Sequence, residues 1–396
     1  MPARTLNVLL VHNYYQQSGG EDRMFEAEGS LLESRGHRVR RFTAHNDVIT
    51  GLNQFSVAAK SVWNRRTTRD LNRLLKHGDT DVVHFHNTLP LVSPSAYYAA
   101  KRSGAAVVQT LHNYRLFCPK SVLMRDGHVC EECIGQTFAW PAVKYGCYRN
   151  SKPATTVVAT MLYVHNRMDT WNQQIDVNIA LTNFARDKYI EGGLDPARIV
   201  VKPHFVESHL PPGSGNSGGA VFVGRLSDEK GIRTLLEAWS DEEVGMPIEI
   251  VGDGPLAGEV ERAAAKNELI TWRGRLSSVD VFELVRESSV LIAPSECYET
   301  FGRVVIESFS LGTPVIVSDI GAIGELVEHG RTGYKFQPGN ARELRQRVID
   351  FAAATESQQE MREAVILEHA SRYTADINYP LLMDVYDRAI KLNASA

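Results

Sequence analysis

The chain has 396 residues, too many for one ordinary core and suited to two domains of about 150 to 200 residues each. Its 43% hydrophobic and 23% charged residues fit a globular protein, and a formal net charge of -4 gives no global electrostatic reason to expect nucleic acid. No apolar run reaches the roughly 18 residues of a membrane-spanning helix, and the run in "MPARTLNVLLVHN" is too short for a secretory signal, so a cytoplasmic chain is expected.

In the first half, strand-like segments are "LNVLLVH" (6–12), "HRVRRFTA" (37–44), "DVVHFHN" (81–87), "AAVVQTLH" (105–112), "VNIALT" (177–182) and "RIVVKP" (198–203). Amphipathic stretches such as "EDRMFEAEGSLLESRG" (21–36) separate them. The second half repeats the theme with "AVFVG" (220–224), "IEIVG" (248–252), "ITWRG" (270–274), "SVLIAP" (289–294), "PVIVSD" (314–319) and "GYKF" (333–336). Continuous apolar strands alternating with helices predict parallel sheets covered on both faces, hence two doubly wound α/β domains in series. The expected bounds are 1–203 for the first domain, 204–219 for a Pro-, Gly- and Ser-rich linker and 220–374 for the second. A cleft between them is the default ligand site.

Within the first domain, Gly19 and Gly20 follow the first strand and open a helix whose first turn carries Glu21 and Asp22. This loop suits close approach of a phosphate or an acceptor, or forms a plain strand-to-helix turn whose acids cap the helix. His86 and His112 end two strands. His84 alternates with His86 and reads as a core residue. The stretch 60–78 holds six Lys or Arg against Asp70, with Trp63 and leucines interleaved. It suits either an anionic membrane surface or a solvated helix with one face in the core.

Residues 114–150 lack a clear period and read as an insertion. They hold Cys118, Cys130, Cys133 and Cys147, a spacing open to a tetrahedral structural zinc, to buried thiols or to a disulfide. Cys297, further on, reads as packing.

The stretch "ECYETFGRVVIES" (296–308) carries Glu299 and Glu307 around Phe301 and Gly302. A helix is predicted from Thr300 or Phe301 to Leu311, stopped by Gly312 and Pro314. Its start offers backbone N–H groups to a phosphate, and Glu307 lies about 9 Å further along the axis. A nucleoside diphosphate sugar has a matching layout of sugar, diphosphate and ribose. Upstream, "GRLSDEKG" (224–231) places Arg225 and Lys230 where two fixed cations would neutralise a diphosphate.

These motifs resemble those of a family 4 retaining glycosyltransferase of GT-B architecture. The resemblance rests on "VFVGRLSDEKG", "IVGDGPL", "WRGRL", the Glu299-to-Glu307 element and "GTPVIVSDIGAIGELVEHGRTGYKF", and more loosely on Gly19–Gly20, "DVVHFHN" and "TLHNY". It implies two Rossmann-like domains, with the donor held by the second and the acceptor mainly by the first. It also implies that the last helix, within 375–396, packs back onto the first domain. By the same resemblance, Arg225 and Lys230 bind diphosphate, Glu299 meets the donor sugar, Glu307 takes the ribose, and His112 contacts the transferred sugar. Gly19, Gly20, Gly224, Arg275, Thr300, Phe301, Gly302 and Arg303 complete the expected donor set, and Asp22, His86 and Asn113 the acceptor set. The linker departs from the family in reading "PHFVE", and His204 is given no catalytic role.

The implied activity is retaining hexosyl transfer from a nucleotide sugar, with UDP favoured over GDP, to a polysaccharide, lipid-linked or natural-product hydroxyl. No cofactor is expected for transfer. The alternatives are a UDP-sugar 2-epimerase of the same fold and a non-catalytic partner subunit. The intact Arg225, Lys230, Glu299 and Glu307 set argues against the latter.

Overall fold

The computed structural model describes residues 5–16, 19–51, 54–215, 218–240 and 242–395. The chain divides into two compact units. The first comprises Met1–Leu123, Cys130–Pro203 and Tyr379–Ala396; the second comprises Met124–Val129 and His204–Asn378.

The first unit is built on strands β1 (Asn7–Tyr14), β2 (Arg38–His45), β3 (Val82–Phe85) and β4 (Ala106–Thr110). After a small antiparallel hairpin that belongs to the second unit, β5 (Met124–Arg125) with β6 (His128–Val129), the chain continues into β7 (Val177–Ala180) and β8 (Ile199–Val201). The main sheet has the order β2-β1-β3-β4-β7-β8, parallel throughout. The central strands are buried along their whole length, as continuous Val and Ile runs require when helices cover both faces. At the edge, β2 alternates exposed and half-buried residues instead.

The helix Gly20–Ser34 sends Phe25 and Leu32 into the core beside Leu10, Val82 and Val108. The helix Ala375–Ala394 adds Leu382, Val385, Tyr386 and Ala389 to the same cluster.

The second unit carries β9 (Ala220–Val223), β10 (Ile248–Val251), β11 (Ile270–Gly274), β12 (Val290–Ala293), β13 (Val315–Ser318) and β14 (Gly333–Phe336). Their order is β11-β10-β9-β12-β13-β14, again parallel. Trp239, Leu235, Ile250 and Ile316 anchor its core. Both halves are therefore doubly wound Rossmann-like domains.

Three expectations need correction. The helix expected from residue 300 or 301 begins at Arg303 and ends at Ser310, because Gly302 adopts φ +110 and cannot continue a right-handed turn backwards. The basic stretch 60–78 is not one helix but the end of Gln54–Val62 and then Arg65–Leu74. Asn64 breaks it: its side chain accepts from the N–H groups of Arg66 and Thr67 and so starts a new helix. The insertion 114–150 contains the short helix Trp140–Tyr145, ended by Gly146 at φ +64, as well as the hairpin β5–β6.

Candidate active site

In a doubly wound sheet, ligands bind beyond the carboxyl ends of the strands where the strand order reverses. In the second unit that point lies between β9 and β12. The chain leaving β9 passes through Gly224 and the exposed Arg225 to a single helical turn, Asp228–Lys230. Gly231 then turns it at φ +67, where a Cβ would stand 1.8 Å from the Pro294 carbonyl oxygen. Only glycine permits this approach, and it fixes Lys230 beside the chain leaving β12.

Lys230 Nζ lies 2.8 Å from Glu299 Oε1. The Ser295 hydroxyl donates to the same carboxylate oxygen. Burial works against the charge on both groups, but their pairing wins: the Glu299 pKa is lowered and the Lys230 pKa raised. Both therefore stay ionised at neutral pH.

Glu307 sits one turn into the helix Arg303–Ser310, with Arg303 Nε 3.1 Å from its Oε1. The next loop is equally tight. Gly252 has φ +139, and a Cβ there would stand 1.8 Å from the Gly224 carbonyl oxygen. Arg275, at the end of β11, pairs with Asp253 at 3.2 Å and is exposed. The Phe301 side chain is buried, with the His204 ring edge-on at 5.2 Å. The ring of Phe301, an expected donor residue, thus packs inside, and Cys297, read as packing, is buried.

The reversal point of the first sheet lies between β1 and β3. His12, near the end of β1, and His86, just after β3, are both buried there with ring centroids 6.3 Å apart. Asp22 and His86 were expected to meet an acceptor; the structure uses both internally. One Asp22 carboxylate oxygen lies 2.7 Å from His12 Nε2, and the other accepts the Gly19 N–H at 2.9 Å. Asp22 therefore closes the helix start, as Asp does where amide groups lack intrahelical partners. His86 Nδ1 lies 3.0 Å from His112 Nε2. Asn113 holds the Arg115 N–H with its Oδ1 at 3.2 Å and donates from Nδ2 to Glu21 at 3.4 Å. His84 is a core residue, its two ring nitrogens facing the hydroxyls of Tyr386 and Thr110 at 2.9 and 2.8 Å. Gly20 is exposed at the first position of its helix.

Sequence reasoning passed over three groups near this point: His12, Glu28 and Lys202. Burial pushes the carboxyl of Glu21, read as an acceptor contact or a helix cap, up to about 7. A carboxyl with a raised folded-state pKa is favoured in its neutral form. Its contribution to stability is complete below about pH 4.5 and is lost as pH rises to about 7. The loss amounts to about 3 kcal/mol at roughly 1.4 kcal/mol per unit. Glu21→Gln mimics the neutral acid, so it should melt with the wild type at pH 4.5 and above it at pH 8.5. An equal difference at the two pH values would show that Glu21 does not titrate in this range.

Cys118, Cys130 and Cys147 lie near enough to act on Cys133, which packs with Ala139, Ala142, Ala159 and Cys147. Burial, reinforced by the other three thiols, pushes Cys133 up to about 12. The group of three metal-type donors that the described residues bring within 4.8 Å is Glu28, His84 and His86, not these thiols. Zinc at the cysteines is thus a matter for metal analysis: near one atom per chain supports it, and below about 0.2 removes it. No helix among the described residues is long and apolar enough to cross a membrane.

Two doubly wound domains with parallel sheets are the parts of which a GT-B glycosyltransferase fold is made. Solved structures of that class cover nearly the whole chain. Sucrose-phosphate synthase of Thermosynechococcus elongatus aligns with 98% of this chain and 100% of its own, at a TM-score of 0.70 and 15% identity. HepE of Anabaena, solved in complex with UDP, aligns with 96% of this chain and 100% of its own, at 0.65 and 16%. A family model described as "Glycosyltransferase Family 4" matches residues 18–210, and one described as "Glycosyl transferases group 1" matches residues 215–367. The chain belongs to glycosyltransferase family 4.

Among curated relatives, an uncharacterized glycosyltransferase of Methanocaldococcus jannaschii is 30% identical over 168 residues, 41% of this chain and 47% of the relative. A 42.6 kDa protein from the cps region of Klebsiella pneumoniae is 22% identical over 81% of this chain and 87% of its own. Glycogen synthase of Mycobacterium tuberculosis is 31% identical over 34% of each chain. This chain thus spans about half of the first of these relatives and a third of the last.

Proposed function

We propose that this protein transfers a hexose from a nucleoside diphosphate sugar to an acceptor hydroxyl with retention of anomeric configuration, and that UDP is the nucleotide. The observation that carries the reading is the Lys230–Glu299 pair with Arg225 at the reversal point of the second sheet. A diphosphate leaving group needs fixed positive charge where its own negative charge develops. Glu299 keeps Lys230 ionised and aimed, while the ammonium has three donors and only one is spent on the carboxylate. Arg225 adds a second cation, and Glu307, further along its helix, takes the ribose hydroxyls.

Retention without a covalent intermediate asks the protein to stabilise the departing diphosphate and to orient the acceptor hydroxyl on the same face. Side-chain cations do the neutralising, so in this reading transfer needs no divalent metal. The complex of Anabaena HepE with UDP and glucose supports UDP as the first nucleotide to try. The acceptor belongs to a polysaccharide, a glycolipid or a glycosylated natural product.

The test is thermal stabilisation by UDP, GDP, ADP and TDP in EDTA, on wild type and on Glu307→Ala. A ligand at 100 times its dissociation constant adds about 2.7 kcal/mol. UDP should raise the melting temperature of the wild type and not that of the variant. No shift with any nucleotide defeats the donor reading, and a shift that needs added divalent metal defeats the metal-free part. An epimerase would convert the donor without acceptor, which product analysis separates from transfer.

A further inference from the structure

Beneath the reversal point of the first sheet, four side chains form a continuous polar line. Lys202 Nζ lies 2.6 Å from Glu28 Oε1, and Glu28 Oε2 lies 3.2 Å from His86 Nε2. His86 Nδ1 lies 3.0 Å from His112 Nε2. Lys202, Glu28 and His86 are each at most 2% exposed, whereas His112 is half-buried. His112 borders, with His86, Gln109 and Asn113, a cavity of about 40 Å³.

Burial alone would raise the Glu28 pKa, but Lys202 and the two histidines hold it well below the usual carboxylate range. The Lys202 ammonium and the Glu28 carboxylate thus offset each other's charge. The Glu28–His86 contact departs from ideal hydrogen-bond geometry, yet neither atom has another partner among the described residues. Two polar atoms buried at this depth and 3.2 Å apart are each other's natural partner.

Glu28, His84 and His86 also bring three metal-type donors together. The place of a cation is already taken, because the Lys202 ammonium sits on Glu28 and both His84 nitrogens face hydroxyls.

A carboxylate accepts only, so the proton of His86 belongs on Nε2 and its Nδ1 becomes an acceptor. The group facing that Nδ1 must then donate. We infer that Lys202, Glu28 and His86 form a tautomer relay that holds the His112 proton on Nε2 and leaves Nδ1 as a hydrogen-bond acceptor. The functional meaning rests on the reading of this chain as a glycosyltransferase and on the cavity of the first unit that His112 borders. An acceptor nitrogen there takes a hydrogen bond from a sugar hydroxyl. Glu28, His86 and Lys202 touch no reacting atom in this scheme; they are positioning residues.

Histidine-selective nitrogen-15 labelling of the full chain reads the tautomer directly, with the His112 signal assigned by its loss in His112→Gln. The wild type should show His112 protonated on Nε2 and unprotonated on Nδ1. His86→Gln reaches toward Glu28 but leaves no acceptor where Nδ1 stood, so two His112 tautomers should become populated. His86→Asn places an amide oxygen near the Nδ1 position and should restore the single form. If His86→Gln does not fold, the charge-free pair Glu28→Gln with Lys202→Met serves instead and should also show mixing.

A wild-type His112 protonated on Nδ1 overturns the relay. So does an unchanged Nε2–H form in a folded variant lacking its acceptor or its carboxylate. UDP stabilisation measured on the same wild-type sample keeps the two readings apart. A correct tautomer without a UDP shift leaves the relay standing and defeats the donor assignment; a UDP shift with the wrong tautomer does the reverse.

Discussion

Lys230→Met should lower sugar transfer by about a thousandfold while leaving the fold intact. Methionine keeps the length and the apolar stem of lysine and removes only the ammonium. Removing one donor aimed at developing negative charge costs roughly a hundredfold to a thousandfold in turnover. The upper end applies here because Glu299, 2.8 Å away, would then present an uncompensated carboxylate to the diphosphate. Turnover of the nucleotide sugar chosen by the thermal-shift screen is the measurement. A variant within threefold of wild type would mean that Lys230 does not face the leaving group. Lys230→Arg should recover only part of the loss, since a planar guanidinium cannot occupy the place of a compact ammonium.

The largest expected effect on stability comes from a residue outside the donor site. Lys202→Met removes the cation from Glu28, and both side chains are only 1% exposed. Breaking a buried pair from one side costs about 3 to 5 kcal/mol, because a charge is left without compensation. For a domain of this size that lowers the melting temperature of the transition involving the first unit by roughly 10 °C. Adding Glu28→Gln should recover more than half of the loss, since the two substitutions share one interaction.

The pair also sets an acid limit. A carboxylate with a depressed folded-state pKa contributes stability that is present above its unfolded pKa and lost as pH falls through the folded value. The Lys202 effect should therefore be largest at high pH and should shrink as falling pH lets Glu28, buried without its cation in the variant, take up a proton. A single variant that melts within about 2 °C of wild type at pH 7 would show that the pair is not buried as described.

What the sequence discloses and what it hides divide along range. The strands of the second unit are legible as short apolar runs, and the glycines 224, 252 and 274 mark the carboxyl ends of β9, β10 and β11. The start of the helix at Arg303 is misread by two or three residues, since nothing local reveals that Gly302 is left-handed. Asn64 is a cap in a run that otherwise reads as continuous helix, a signal present and outweighed by the surrounding arginines.

The pair Glu28–Lys202 spans 174 positions, so no motif could show it. One local hint exists. Glu28 lies three residues after Phe25 and four before Leu32, on the apolar face of its helix, where an acid calls for a hidden partner. For Asp22 the sequence left an acceptor contact and a helix cap both open; the side chain is buried and accepts the Gly19 N–H.

The core of the first unit is discontinuous in the chain, and this bears on the order of events during synthesis. Leu382, Val385, Tyr386 and Ala389 complete a cluster begun by Val8, Phe25 and Val82, yet they leave the ribosome after all of His204–Asn378. At about 5 to 20 residues per second, that intervening stretch takes roughly ten to thirty seconds to make. For that interval the first six-stranded sheet has been translated without the helix that covers part of it. The second unit, whose core needs no such late arrival, has the opportunity to fold first. Nascent chains stalled before residue 379 would thus expose the apolar strands of the first sheet to chaperones, and release of the last helix would be the step that closes them.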